Sequence, residues 1–190
     1  ENKDINYLRF DSNIKRTPNG GIDSSDCSFY NCSSLIEVFI PSSLEKIGNR
    51  TFRNCTSLQK INFEDPSSVT SIGNYAFHSC TSLTQISIPS SVTSIGNWAF
   101  SNCTSLTQIS IPSSVTSIGD SAFSSCKSLT QISIPSSVTS IGVCAFQYCT
   151  SLRQISIPSS VTSIGEDAFY NCTSLTQISI PSRINTYNLG

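Results

Sequence analysis

From about residue 27 onward the apolar side chains recur in one fixed order. Leu is followed at plus three and plus five by an apolar residue, then by Pro. Val and Ile come next, then Gly, then Ala-Phe-x-x-Cys, as in the stretch Leu83, Ile86, Ile88, Pro89, Val92, Ile95, Gly96, Ala99, Phe100, Cys103. The clearest consecutive 23-residue copies start at Cys80, Cys103, Cys126 and Cys149. A fixed period of this length predicts a solenoid, because no single unit can bury its apolar face without neighbours stacked on it.

Each part of the unit predicts an element. Leu83-Thr84-Gln85-Ile86-Ser87-Ile88 alternates as a short strand does, with Leu, Ile and Ile inward. Pro closes it, at Pro41, Pro66, Pro89, Pro112, Pro135, Pro158 and Pro181, where the missing N–H harms no continuing ladder. Ser-Val-Thr-Ser-Ile predicts a second, shorter strand with Val92 and Ile95 inside. The glycines that follow, Gly48 through Gly165, are expected at a corner of positive φ. The x-x-Ala-Phe-x-x-Cys segment has the apolar spacing of one or two helical turns. Phe29, Phe52, Phe77, Phe100, Phe123, Phe146 and Phe169 are expected to stack into an aromatic spine. With strands about 4.8 Å apart, about seven coils make a sheet on the order of 30 Å long.

The departures from the period are as informative. Cys55 to Cys80 spans two residues more than the other copies, and Glu64 and Asp65 are expected to bulge out at the strand exit. Residues 1–26 fit the pattern poorly and read as a degenerate capping coil, with Leu8-Arg9-Phe10 and Ile14 in its apolar positions and 18–21 as a loop. The solenoid proper is then 27–190, its last coil truncated. At that open edge, either more repeats follow Gly190 or the edge pairs with another chain in a homo-association. There is no Met and no leader-like N-terminus, so the chain reads as a mature product or an excised fragment.

The string I-P-x-S-V-x-x-I-G-x-x-A-F-x-x-C-x-x-L-x-x-I, intact in several copies over residues 27–184, resembles the BspA-type leucine-rich repeat. The resemblance implies a leucine-rich-repeat solenoid with a parallel β-sheet on the concave face and short helices and short strands on the other sides. It also implies a family found on the surfaces of oral bacteria and parasitic protists and associated with adhesion to host proteins and cells. No catalytic residues come with it.

Charge and candidate chemistry narrow the function classes. The 190 residues carry 11 Lys plus Arg against 12 Asp plus Glu, with no basic run, which argues against nucleic acid as a partner. No apolar stretch approaches the roughly 20 residues of a membrane span. Seven of the nine cysteines (Cys32, Cys55, Cys80, Cys103, Cys126, Cys149, Cys172) share one repeat position and read as a column of small buried side chains. Cys27 and Cys144 share a second, exposed position, at no zinc-binding spacing. His78, the one histidine, reads as an exposed decoration. With no second His, and carboxylates that are sparse and far apart in the repeat frame except for the adjacent pairs Glu64-Asp65 and Glu166-Asp167, there is no catalytic residue, metal set or cofactor site to nominate, and the chain reads as non-enzymatic. Asn-x-Ser/Thr occurs at Asn31, Asn49, Asn54, Asn102 and Asn171; four of these precede a column Cys, a place suited to Asn in a left-handed conformation.

Function then falls to the outward strand positions. Gln85, Gln108, Gln131 and Gln177 lie in polar ladders, whereas early coils substitute Glu37, Phe39, Gln59, Lys60 and Asn62, and a later one Arg153. These residues form the candidate protein-binding face, with Phe39 as an exposed anchor inside a polar rim. A second aromatic patch, including Tyr75, Trp98, Tyr148 and Tyr170, lies on the opposite side of the unit. Three classes fit: a cell-surface or extracellular adhesion module for host or matrix proteins, an intracellular (cytoplasmic) scaffold, or a surface for a regular lattice, which a curved sheet suits badly.

Overall fold

A computed structural model of the chain describes residues 6–9 and 29–184. The chain winds as a coil of parallel strands, about six turns long. One row comprises β2 (Glu37–Ile40), β4 (Lys60–Phe63), β6 (Gln85–Ser87), β8 (Gln108–Ser110), β10 (Gln131–Ser133), β12 (Gln154–Ser156) and β14 (Gln177–Ser179), preceded by β1 (Tyr7–Arg9). The second row holds β3 (Lys46–Ile47), β5 (Ser71–Ile72), β7 (Ser94–Ile95), β9 (Ser117–Ile118), β11 (Ser140–Ile141) and β13 (Ser163–Ile164). Every pairing is parallel and in repeat register, Gln85 opposite Gln108, Gln108 opposite Gln131 and Gln131 opposite Gln154.

Each coil contributes one layer of core. In the coil that runs from Leu83 to Cys103, Leu83, Ile86, Ile88, Val92, Ile95, Ala99, Phe100 and Cys103 are all buried. Identical residues repeat at identical places, so like side chains stack on like. The phenylalanine rings from Phe29 to Phe169 form a continuous row with centroids 5.3–5.7 Å apart and planes within 13° of parallel. The row follows the solenoid axis, and its neighbours are supplied by the period alone.

The expected helical turns are not there: among the described residues no helix forms. The hydrogen bonds explain why. In the Arg50–Cys55 segment, the N–H groups of Arg50, Phe52 and Asn54 donate across to Asn74 O, Ala76 O and His78 O of the next coil, each at 2.8 Å. The alternate groups close short local turns, Arg53 N to Arg50 O at 3.1 Å and Cys55 N to Phe52 O at 3.2 Å. A helix would direct these donors to carbonyls four residues back and leave the neighbouring coil unbonded. The segment is thus a third ladder made of turns.

The glycine expectation is also corrected. Positive φ falls two and six residues after the glycine, as at Ser121 (51°) and Ser125 (60°), and not on the glycine itself. Glycine is required by close approach: a Cβ on Gly119 would lie 2.7 Å from both Asn97 Oδ1 and Gly96 C of the preceding coil. The space is taken by a side-chain ladder in which Asn97 N donates to Asn74 Oδ1 (2.8 Å), Asp120 N to Asn97 Oδ1 (2.9 Å) and Val143 N to Asp120 Oδ1 (2.9 Å). Asn31, Asn54, Asn102 and Asn171 are left-handed, with φ of 58–61°, as their place before cysteine suggests. They sit inside the turn ladder and not at a helix end.

The two extra residues leave their mark on one row. Glu64 and Asp65 are exposed at the exit of β4, the Asp65–Pro66 peptide is cis, and Glu64 Oε2 accepts a hydrogen bond from Ser42 N. Between β4 and β6 the strand face divides into a sheet of β1, β2 and β4 and a sheet of β6 to β14. The second row runs unbroken past the same point. Of the expected opening coil, Tyr7–Arg9 forms β1; Phe10, Ile14 and 18–21 lie outside the described residues, as does Cys27. In β14, the final strand, Ile178 is 42% exposed, whereas its counterpart Ile155 is 4% exposed.

Candidate functional site

Strand periodicity places alternate residues on the outer face, and the repeat then aligns them into two columns along the solenoid. The first runs Tyr7, Glu37, Lys60, Gln85, Gln108, Gln131, Gln154 and Gln177, the second Arg9, Phe39, Asn62, Ser87, Ser110, Ser133, Ser156 and Ser179. Over β6 to β14 these columns line an open trough of about 1180 Å³. Its polar lining is glutamine and serine with Thr176 at one end, and Gln108 Nε2 donates to Gln85 Oε1 at 3.3 Å. All three residue types carry donor and acceptor groups and no charge, so the trough can match a hydrogen-bonding partner of either polarity.

The early coils present a different surface on β1, β2 and β4. Lys60 Nζ lies 3.3 Å from Glu37 Oε1. Asn62 Nδ2 donates to that same oxygen at 2.8 Å. The Asn62 hydrogen bond, followed by Lys60, holds the Glu37 carboxyl below the usual carboxylate range. Phe39 is half-buried and not exposed as its strand position suggested, because the Arg9 guanidinium carbon lies 5.1 Å over its ring. This cover comes from outside the repeat, so the repeat pattern held no sign of it.

The nominated residues therefore separate into two groups. Gln85, Gln108, Gln131 and Gln177 line the trough; Glu37, Phe39, Lys60 and Asn62 share the N-terminal patch. Gln59 and Arg153 are exposed just before β4 and β12, at the strand entrances, and line neither. Gln154 was overlooked: it occupies the trough column next to Arg153, and the repeat register alone identifies it.

The remaining polar chemistry is inward or structural. The thiols of Cys55, Cys80, Cys103, Cys126, Cys149 and Cys172 each donate to a phenylalanine carbonyl of the preceding coil at 3.0–3.3 Å. Burial raises their pKa, to about 12 at Cys55 and Cys103 and about 11 at Cys172. A thiol held this firmly neutral is neither nucleophile nor metal ligand. His78 is half-buried and not simply exposed: it tilts against Tyr75 and shares a 2.9 Å contact between its Nδ1 and Ser79 Oγ. Burial, then the nearby Arg53, lowers its pKa. Among the described residues no group of three or more His, Cys, Asp or Glu is placed to hold a metal ion, and no helix is long and apolar enough to cross a membrane.

The sequence matches the profile of the BspA type leucine rich repeat region in six copies, over residues 22–153 and 116–189. The chain belongs to the BspA-type leucine-rich repeat family. Among solved structures, this BspA-type chain is similar to a leucine rich cell surface protein of Faecalibacterium prausnitzii, with 28% identity and a TM-score of 0.62 over 92% of this chain. It spans 59% of that protein's length. It is likewise similar to a leucine rich repeat protein of T. pallidum, with 28% identity and a TM-score of 0.64, covering 93% of this chain and 71% of that one. No curated protein matches. BspA-type repeats are leucine-rich repeats, a class of protein-binding modules that are in general non-enzymatic scaffolds.

Proposed function

We propose that this chain is a non-catalytic adhesion module that displays its strand face at the cell surface, or outside the cell, and binds a host or matrix protein there. The observation that carries this reading is the five-strand trough of glutamine and serine, continued toward the N-terminus by the Glu37, Phe39, Lys60 and Asn62 patch. A partner crossing both surfaces meets uncharged hydrogen-bonding rows first, and then one aromatic ring with a charged rim, the composition that anchors protein interfaces. Membership of a leucine-rich repeat family and the likeness to a protein described as a cell surface protein support the surface assignment.

A second reading, an intracellular scaffold using the same face, is favoured by the column thiols, since a chain rich in reduced cysteine suits a reducing compartment. Two measurements separate the alternatives. Antibody labelling of intact cells supports the adhesin; labelling only after permeabilisation supports the scaffold. In a solid-phase assay on matrix proteins, the double variant Gln108→Arg/Gln131→Arg should lose binding while retaining the circular dichroism of the parent. Undiminished binding would remove the trough from the account.

A further inference from the structure

Apart from Tyr7 on β1, the large exposed aromatics lie away from the strand face. Tyr30, Tyr148 and Tyr170, 38–45% exposed, all project from the turn ladder on the other side of the coil, where Trp98 and Tyr75 stack at 5.1 Å. Apart from Asp120 in the middle coils, charge on this face is divided. Arg50 and Arg53 lie at its N-terminal end, each over the Tyr75 ring at 5.6 and 5.3 Å, and Glu166 and Asp167 at its C-terminal end. Five coil steps of about 4.8 Å put these poles about 24 Å apart.

We propose that the turn face binds a second copy of this chain, with the two solenoids antiparallel about a two-fold axis that lies across the face between the coils of Trp98 and Ser121. An isologous pairing makes each column of one copy face the same column of the other in reverse order. The left-handed column, from Arg50 through Trp98 and Ser121 to Asp167, is then complementary to itself. Arg50 meets Asp167 of the second copy, and Trp98 meets its Ser121, a residue only 8% exposed and too small to occupy the contact. The adjoining columns follow the same rule. Arg53 meets Tyr170, a cation against an exposed ring, and Tyr148 meets Ser79. Of these four places, one sets positive against negative, one sets a cation against a ring, and two set a large residue against a small one. A parallel pairing would set Arg50 on Arg50 and Asp167 on Asp167, and like charges across an interface are strongly disfavoured.

Sedimentation velocity over a concentration series at low salt tests this. Arg50 and Asp167 share the same backbone conformation, with φ of 56° and 55°, so exchanging them asks nothing new of either coil. The parent should form a concentration-dependent dimer, Arg50→Asp and Asp167→Arg should each weaken it by about tenfold or more, and the double exchange should restore it. Trp98 fluorescence should shift to the blue with concentration in the parent and in the double variant alone. A parent that stays monomeric, single variants that dimerise as the parent does, or a double variant that fails to recover would each overturn the proposal. Circular dichroism of the single variants, matching the parent, shows that lost association is not lost folding.

Discussion

The Sγ of Cys103 donates a hydrogen bond to the carbonyl oxygen of Phe77, one coil back, at 3.2 Å, and the same bond recurs along the column. Because the fold buries this thiol, its pKa rises from 9.0 to about 12. The unfolded chain therefore gives up protons that the folded chain retains. The stability so contributed is fully present below about pH 9 and is lost as pH rises through that value toward 12. Urea midpoints should fall between about pH 8 and about pH 11, and more shallowly for Cys103→Ala, which removes one such group. Parallel pH profiles for variant and parent would contradict the buried-thiol account.

Gly119 illustrates a constraint of a different kind. Its missing Cβ leaves room for Asn97 Oδ1, which accepts the N–H of Asp120 at 2.9 Å. Gly119→Ala places an atom 2.7 Å from that oxygen, so the two coils must separate locally or the side-chain ladder must open. A loss of roughly 1–3 kcal/mol is expected, the usual cost of overpacking. Asn97→Ala should cost about 1 kcal/mol by removing the acceptor. A double variant costing no more than Gly119→Ala alone would show that both act through one contact.

How much of this was visible in the chain depends on which level of order is asked about. The inward positions of Leu83, Ile86, Val92, Ile95, Phe100 and Cys103 follow from the spacing, because a strict period leaves each of them one environment, repeated. The Ala-Phe-x-x-Cys segment misleads because its apolar spacing suits a helix as well as a turn ladder. What decides is where the N–H groups go, and that depends on the neighbouring coil. Gly119 was correctly singled out but for the wrong reason, since crowding from another coil leaves no trace in local sequence. At the candidate site the glutamine column was legible from the register. The cover that Arg9 places on Phe39 was not, because it comes from outside the repeat.

Phe39 can now be tested against that cover. The Arg9 contact is a cation–π interaction near the surface, worth about 0.5–1 kcal/mol. Arg9→Ala should therefore cost little stability while uncovering the ring, and Phe39→Ala should likewise leave the fold intact. If Phe39 anchors a partner, Phe39→Ala weakens adhesion in the solid-phase assay and Arg9→Ala leaves it equal or stronger. Loss of folding in Phe39→Ala would make the residue part of the core and end its candidacy.

The aromatic row makes the most demanding prediction for stability. Phe123 is fully buried and stacked on both sides, 5.6 Å from Phe100 and 5.5 Å from Phe146. Phe123→Ala removes a ring with no mobile neighbour to refill its space, since the backbones on either side are tied coil to coil by the turn ladder. The expected cost is about 3–5 kcal/mol. Phe169, 5% exposed near the end of the described row, should cost less when replaced by Ala, because the surrounding chain is freer to settle. A linear array also responds to where it is weakened: stability is a sum of coils and their interfaces, so a central defect uncouples the two halves. Hydrogen exchange should accordingly show lowered protection on both sides of Phe123→Ala, but only in the last coils of Phe169→Ala. Equal costs, with exchange changed uniformly along the chain, would mean that the solenoid unfolds as one unit and that the position of a ring in the row is immaterial.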